Sequence, residues 1–177
     1  MLRTHTCNQL SLADVQKRVT VCGWITKVLD HGSIRFIHLR DRYGIVQVIS
    51  HSEESGSDLH KKVCGLHRED CISITGVVRA REEKDISPNY ATGAIEIILK
   101  KMAMLGVSET PPFEIGEKTT AGDELRLKYR YLDLRSKKMQ GNIITRHQAM
   151  QSIRTSLLEQ GFLEIETPLF VRSTPEG

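Results

Sequence analysis

The alternation of apolar and polar residues predicts five β-strands within the first hundred residues. Side chains of a half-buried strand point alternately to the core and to the solvent, so an alternating run rich in β-branched residues is typical of such a strand. The five predicted strands span residues 18–29, 33–40, 45–49, 71–81 and 93–100. Short turns join the first three, which predicts a meander of antiparallel strands.

A short helix is predicted between the third and the fourth strand. There Leu59, Val63 and Leu66 recur at intervals of four and three residues, the period of an amphipathic helix. Three strands, a helix and two more strands is the order of the OB-fold, a five-stranded barrel that binds oligonucleotides. A generic five-stranded β domain is the alternative, and the position of the helix favours the OB-fold.

The pattern changes after Leu105. Two prolines in Thr110-Pro-Pro-Phe113, followed by a polar run, predict a linker, because proline cannot donate to a strand ladder. Residues 124–135 are heavily charged and helical in period.

A longer helix is predicted over residues 142–160, with Asn142 as its N-cap and Gly161 after its end. Residues 162–167 alternate like a strand, which Pro168 ends. We therefore expect a mainly β chain, in which a five-stranded OB-fold barrel is followed by a hinge and by the first helix and strand of an α+β domain that is cut off.

Composition narrows the class of protein. Hydrophobic residues at 39% and charged residues at 27% are ordinary for a globular protein. No apolar run approaches the roughly 20 residues that a membrane span needs, and the first residues lack the pattern of a signal peptide. The four cysteines form no CxxC pair. These features predict a cytoplasmic protein without a membrane partner.

The net charge of +3 is unevenly distributed. Residues 1–50 hold seven Lys or Arg against three Asp, a net charge of +4, so the remaining residues sum to −1. A basic first third on a near-neutral chain fits a local footprint for a polyanion.

Candidate binding residues follow from the way in which OB barrels hold single strands, by stacking bases on aromatic rings and by following the backbone with basic side chains. Phe36 is the candidate ring, with a core position as the alternative. The amide of Gln47 carries a donor and an acceptor, as reading an unpaired base requires. The candidate cations near the barrel rim, for which a solvated basic face is the alternative, are Lys27, Arg79 and Arg81.

Four residues recur at intervals of four, three and four, a spacing that can place zinc ligands on one face of a helix. They are His60, Cys64, His67 and Cys71. The order of these ligands matches no usual zinc site, and Cys71 begins a strand outside the helix. We interpret Cys64 and Cys71 instead as small apolar residues at buried positions. No metal site and no cofactor are predicted for this chain.

Six motifs resemble the anticodon-binding domain of bacterial-type aspartyl-tRNA synthetases, and they lie at residues 1–7, 21–24, 39–42, 44–48, 75–81 and 91–96. Arg130-Tyr-Leu-Asp-Leu-Arg135 is similar to the hinge of that family. Residues 161–168 and 173–177 are similar to motif 1 and to the start of a class II catalytic domain. Asparaginyl and lysyl enzymes share the architecture but are expected to differ in Ser-Thr-Pro-Glu-Gly and Ala-Thr-Gly.

The resemblance implies an organisation and a set of roles. Residues 1–107 would be the anticodon-binding domain, 108–140 the hinge, and 141–177 the start of the catalytic domain. Phe36 would stack on the central anticodon base and Gln47 would read a base edge. The other anticodon contacts would be Lys27, His31, Arg79 and Arg81.

The resemblance also implies roles for the end of the chain. The helix over 142–160 and the motif 1 strand that ends at Pro168 would build a homodimer interface. Ser173 and Glu176 would belong to a loop that covers the aspartate pocket. The full-length protein would be a ligase that forms aspartyl-adenylate from ATP, with magnesium, and transfers aspartate to tRNA(Asp). The fragment lacks the ATP site and is expected to be inactive by itself.

Two features bear on specificity. Most relatives have an Arg-rich turn where this chain has Lys27-Val28-Leu29, and Lys does not replace Arg at a bidentate contact. His31 stands where the family carries Leu or His, and the His form is associated with charging tRNA(Asn) as well as tRNA(Asp). An exposed histidine without a discriminating role is the alternative. A freestanding single-strand-binding module, a dimerising structural domain and a related asparaginyl or lysyl synthetase also remain open.

Overall fold

The computed structural model describes residues 2–116 and 119–170. The chain divides into two compact units, Met1–Pro112 and Phe113–Gly177. All five predicted strands are present in the first unit. They are β1 (Arg18–His31), β2 (Ile34–Arg40), β3 (Ile45–His51), β4 (Cys71–Ala80) and β5 (Ile95–Gly106).

The five strands close into a barrel in the order β1-β2-β3-β5-β4. All neighbouring pairs are antiparallel except β3 and β5, which run parallel. Two helices, α1 (Ser52–Ser55) and α2 (Ser57–Cys64), connect β3 to β4. This arrangement confirms the predicted OB-fold. Strand β5 runs six residues beyond its predicted end, because its second half continues to pair with β4.

The barrel core consists of the side chains that alternate inward along every strand. On β4, Ile72 and Ile74 are completely buried and Val78 is 1% exposed, as the alternation predicts. Val63 of α2 and the following Leu66 join the same core cluster. Burial of these branched side chains stabilises the fold at about 25 cal/mol per Å² of apolar surface removed from water.

The second unit contains α3 (Asp123–Lys128), α4 (Arg130–Asp133) and α5 (Lys137–Glu159). The helical period over 124–135 corresponds to two helices, because Tyr129 leaves the helical region at φ −109° and ψ 48° and separates α3 from α4. No helix in the described part of the chain is long and apolar enough to cross a membrane.

The predicted start of the long helix at Asn142 is also wrong. Helix α5 begins five residues earlier, after Ser136, whose hydroxyl accepts a hydrogen bond from the amide of Met139 at 3.4 Å. The start of a helix depends on which side chain satisfies its first amides, and Ser136 does so here. The predicted stop is confirmed, because Gly161 follows the helix with a positive φ of 87°.

Residues 162–167 do not form the predicted strand. A strand requires a neighbouring strand that pairs with its amides and carbonyls, and no strand in the described ranges pairs with this segment. Its apolar side chains are exposed, as is Pro168 at its end. Ser173 and Glu176 lie outside the described residues.

Candidate nucleic-acid interface

Strand β2 presents aromatic side chains on the outer face of the barrel. Ile37 and Leu39 are fully buried inside, so Phe36 and His38, which alternate with them, point outward. Both are half-buried. Phe36 is therefore a surface ring, and the alternative that it belongs to the core is wrong.

The strand register places five polar residues side by side across the outer face. Lys27 on β1 lies opposite His38 on β2, and His38 lies opposite Gln47 on β3. Glu96 on β5 accepts a hydrogen bond from Gln47 and lies opposite Arg79 on β4. We call Lys27, His38, Gln47, Glu96 and Arg79 the polar row.

Lys27 enters this row because of a bulge. The pairing of β1 with β2 shifts by one residue between Ile25 and Lys27, and a one-residue shift exchanges the two faces of a strand. Ile25 is fully buried opposite Leu39, whereas Lys27 is exposed opposite His38.

Glu96 organises the far end of the polar row. It is 6% exposed. Its Oε2 accepts a hydrogen bond from Gln47 Nε2 at 3.0 Å, and its Oε1 accepts from Arg79 Nε at 3.0 Å and Arg79 Nη2 at 2.7 Å. Arg79 also lies 3.7 Å from the carboxylate of Glu54. The charge of Arg79 is thus shared with two carboxylates.

The same contacts orient the amide of Gln47. Its Nε2 donates to Glu96, and its side chain also makes a hydrogen bond with His38. A primary amide has two N–H donors and two lone pairs, so one donor and one acceptor remain for a base edge. Glu96 therefore positions the residue that the sequence nominates as a base reader.

His38 is the histidine of the polar row, and its neighbours change its pKa. Burial lowers its pKa below the ordinary value, and the positive charges of Lys27 and Arg81 lower the pKa further, whereas the hydrogen bond with Gln47 raises it. Its ring also makes an edge-to-face contact with Tyr90, with centroids 5.5 Å apart and planes at 83°.

A second aromatic contact lies two residues away along β2. The rings of Phe36 and His31 meet edge to face, with centroids 5.5 Å apart and an interplanar angle of 83°. Leu29 and Ile49 lie opposite Phe36 on the neighbouring strands. This gives the outer face an apolar row beside the polar row.

The structure shows which side chains of the Lys27-Val28-Leu29 segment point outward. Val28 lies opposite the buried Ile37 and packs against the core, so only Lys27 and Leu29 occupy outward positions. Asp30 and Arg35 pair across the end of the hairpin, where Arg35 is largely buried. The basic side chain of Arg35 thus holds the loop together.

Arg81 lies beyond the end of β4, near the loop that joins β4 to β5. Its Nη1 donates to the carbonyl of Gly93 at 3.4 Å, and its charge acts on His38. The six nominated residues are thus distributed over one face: Lys27, Gln47 and Arg79 lie in the polar row, Phe36 and His31 are in contact beside it, and Arg81 is close to His38.

Three side chains of this face were not assigned a role from the sequence. They are His38, Tyr90 and Glu96. Glu96 had a signal, since it is the one charged residue within Ala94-Ile-Glu-Ile-Ile-Leu99, and an acidic residue in an apolar strand commonly has a partner. Tyr90 lies in an irregular loop, where no periodicity indicates which residue it will contact.

The histidines and cysteines weighed for zinc do not form a cluster. Cys64 is exposed and donates to the carbonyl of His60 at 3.3 Å, while His60 Nδ1 contacts Ser50 Oγ at 3.1 Å. Cys71 is half-buried on β4. The expectation that both cysteines are buried is wrong, because Cys64 at the end of α2 is exposed and Cys71 is only half-buried.

Comparison with known proteins places this barrel in a family. A family model described as an OB-fold nucleic acid binding domain matches residues 19–105. A second model, described as tRNA synthetases class II (D, K and N), matches residues 122–177. Together the two models match most of the chain, as an OB-fold nucleic acid binding domain followed by a segment of the class II tRNA synthetases of the D, K and N group.

Relatives at the level of sequence align over the whole chain. The "Aspartate--tRNA(Asp/Asn) ligase" of Treponema denticola is 47% identical over 177 residues, 100% of this chain and 30% of that protein. The ligase of the same name from Thermotoga maritima is 46% identical, again over 100% of this chain and 30% of that protein. The chain thus spans about 30% of the length of these synthetases.

A solved structure of the family has the same fold. The asparaginyl-tRNA synthetase of Pyrococcus horikoshii superimposes with a TM-score of 0.82 at 26% identity, covering 97% of this chain and 39% of that one. The similarity extends beyond the barrel into the helices that follow it.

The segment that contains α3 and α4 has a buried carboxylate. Asp133 at the end of α4 is 2% exposed. It accepts hydrogen bonds from Arg126 Nε at 2.9 Å and from Arg130 Nη1 at 2.5 Å. This arrangement joins α3 to α4 across the break at Tyr129.

The long helix α5 has apolar residues on its surface. None of its residues is buried, and the larger exposed apolar side chains are Ile143, Met150, Ile153, Leu157 and Leu158. Ile143, Met150 and Leu157 recur every seven residues, which is the spacing of a stripe that packs against another helix.

Proposed function

We propose that this chain is the anticodon-reading part of an aspartate–tRNA ligase, with residues 1–107 as the anticodon-binding domain, 108–140 as the hinge and 141–177 as the start of the catalytic domain. The carrying observation is the outer barrel face, where a half-buried phenylalanine lies beside an oriented glutamine amide. Stacking and edge recognition of an unpaired base need these two groups next to each other.

Each nominated residue has a role in this proposal. Phe36 stacks on the central anticodon base, and Gln47 reads a base edge with the donor and acceptor that Glu96 and His38 leave unused. Lys27 and Arg81 contact phosphates. Arg79 supports the reader by neutralising Glu96.

The activity proposed for the whole ligase is the activation of aspartate with ATP and magnesium, followed by transfer to tRNA(Asp) in the cytoplasm. Within residues 2–116 and 119–170, no group of three or more His, Cys, Asp or Glu side chains is arranged to hold a metal ion. Ser173 and Glu176 are proposed to contribute to the aspartate pocket.

A homodimer is part of the proposal. The apolar stripe on α5 and the segment that ends at Pro168 are proposed to pack against a second copy of the synthetase. The exposed Ile143, Met150 and Leu157 support this, because a stripe at seven-residue spacing is stabilised when another helix covers it.

Anticodon recognition is tested by titrating an anticodon stem-loop of tRNA(Asp) against the 177-residue chain. We expect Phe36→Ala to weaken binding by about 1–3 kcal/mol, the usual contribution of one stacked base. Tyr43→Ala is the matched control, since Tyr43 is an exposed ring in the β2–β3 turn, outside both rows. Equal binding of a loop with a scrambled anticodon would instead indicate a general single-strand-binding module.

Discrimination at the third anticodon base is assigned to His31. In the full-length enzyme, His31→Leu is expected to reduce aspartylation of tRNA(Asn) more than that of tRNA(Asp). The contact of His31 with Phe36 supports this assignment, because it places the imidazole beside the stacked base. An equal loss on both tRNAs would show that His31 has no discriminating role.

A further inference from the structure

From the geometry of the outer face we infer a second base-stacking position, formed by Tyr90 and His38, which holds the unpaired nucleobase adjacent to the one on Phe36. This inference rests on the proposed function and adds to it a site on the loop between β4 and β5. The two rings form what we call the stacking pair.

The rings of the stacking pair are arranged so that flat surfaces remain for a third group. Their centroids are 5.5 Å apart and their planes are at 83°. An edge-to-face contact covers at most one face of one of the two rings. Both residues are half-buried rather than buried, so the pair lies at the surface of the barrel face.

The spacing along β2 fits two neighbouring nucleotides. His38 follows Phe36 by two residues on the same face of the strand, a distance of roughly 7 Å. That is about twice the 3.4 Å separation of bases in a stacked strand. Two bases that are splayed apart can therefore each rest on its own ring, as single-stranded RNA does on sheet surfaces.

The charges around the stacking pair suit an RNA backbone. Lys27 lies opposite His38 on β1, and the positive charge of Arg81 also acts on the His38 ring. Gln47, which is hydrogen-bonded to His38, provides an edge contact next to the ring. A base on Tyr90 would thus have a stacking surface, a hydrogen-bonding neighbour and two cations for its phosphates.

The ring of Tyr90 can be changed without removing the turn around it. The backbone carbonyl of Tyr90 accepts a hydrogen bond from the amide of Gly93 at 2.9 Å. The carbonyl of Gly93 in turn accepts from the amide of Ser87 at 3.1 Å. These bonds involve main-chain atoms, so substitution of the side chain leaves the loop hydrogen bonds in place.

The test compares Tyr90→Leu, Tyr90→Phe and Tyr90→Trp in the 177-residue chain, with Tyr43→Leu as the matched control. Binding of the tRNA(Asp) anticodon stem-loop is measured for each variant. We expect Tyr90→Leu to weaken binding roughly 5- to 150-fold, the effect of losing one stacked base. Tyr90→Phe and Tyr90→Trp should bind at least as tightly as the parent chain, because both keep a stacking face.

A second measurement locates the stacked base. 2-Aminopurine is placed at one anticodon-loop position at a time, and its fluorescence is recorded with each protein. One position should be quenched by the parent chain and by Phe36→Ala but not by Tyr90→Leu. A structural role for Tyr90 would change binding without this position-specific loss of quenching.

The outcomes separate this inference from the function on which it rests. If Phe36→Ala weakens binding but Tyr90→Leu does not, or if Tyr90→Phe binds as poorly as Tyr90→Leu, the second stacking position is wrong and the anticodon role stands. If the parent chain does not bind the stem-loop, both are wrong.

Discussion

The two units of this chain are stabilised in different ways. In the barrel, the strands direct a continuous set of branched side chains inward, and many of them are fully buried. In the second unit, α5 buries none of its residues. The second unit contains ion pairs around the buried Asp133, a cap at Ser136 and two buried apolar side chains, Ile115 and Leu132. The barrel therefore has its own core, whereas the apolar side chains of α5 face solvent.

The largest difference between the units should appear on deletion of a branched side chain. Ile74→Ala removes a fully buried side chain from β4 and should lower the free energy of unfolding by about 2–5 kcal/mol. Ile153→Ala on α5, where the side chain is 55% exposed, should change it by less than about 0.5 kcal/mol. Urea unfolding followed by far-ultraviolet circular dichroism, which reports strands and helices alike, measures both. A similar loss for both variants would contradict the comparison.

A smaller effect is expected in the second unit when its buried carboxylate is neutralised. Asp133→Asn weakens the hydrogen bonds to Arg126 and Arg130, each of the charged type worth about 1.5–3 kcal/mol. Amides of α3 and α4 should then exchange with solvent about 10- to 100-fold faster, while those of β4 should not change. Asp123→Asn is the control, because that carboxylate is exposed although it also contacts Arg126 at 3.2 Å. Faster exchange throughout the barrel would show that the two units are not independent.

The cap of α5 provides a still smaller effect. Ser136→Ala removes the side chain that accepts from the amide of Met139 and should destabilise the start of the helix by about 1 kcal/mol. Asn142→Ala should stabilise it slightly, because Asn142 lies inside the helix and alanine has the higher propensity there. Hydrogen exchange at residues 139–143 distinguishes the two. If Asn142→Ala lowered protection and Ser136→Ala did not, Asn142 would be the N-cap, as expected from the sequence.

The smallest effect is a pH dependence within the barrel. Burial holds the pKa of His38 below its ordinary 6.5 when the chain is folded. As the pH falls below 6.5, the unfolded chain therefore binds a proton at His38 before the folded chain does, so this contribution to stability is complete above pH 6.5 and decreases through the lowered pKa. His38→Gln should flatten the decline in unfolding free energy between pH 7 and pH 5. An unchanged decline would assign it to other groups.

The pKa of His38, and with it this pH dependence, is affected by the charges around the ring. Lys27 on β1 and Arg81 beyond β4 face the ring with positive charge, while Gln47 and Tyr90 are neutral partners. Lys27→Gln should therefore raise the pKa of His38 towards its ordinary value, which shortens the pH range over which stability is lost and makes the total loss smaller. Imidazole NMR shifts of His38 measure this directly.

Local patterns predicted most of the fold. The alternation along Cys71-Ile-Ser-Ile-Thr75 identified the inward face of β4, and the four-and-three spacing of Leu59, Val63 and Leu66 identified α2. These predictions hold because each periodicity depends only on which side of a single strand or helix faces the core. The errors lie where a partner was needed, as in the unpaired segment 162–167 and in the choice between Ser136 and Asn142 as the cap.

The candidate site shows the same division. The residue types and the resemblance nominated Phe36, Gln47 and the cations, but alternation alone left Phe36 either inside or outside the barrel. The burial of Ile37 and Leu39 placed Phe36 outside, and the bulge after Ile25 placed Lys27 outside. No local pattern encodes either.

By itself, the sequence determined the number and type of the strands, the helix that interrupts them, the basic first third and the resemblance to the synthetases. Tertiary structure alone decided which side chains stand next to one another. Gln47 and Glu96 are 49 residues apart in the chain and share a hydrogen bond. His38 and Tyr90 meet although one lies on a strand and the other in a loop. Such pairs arise when the barrel closes, because closure fixes the register between strands that are distant in sequence.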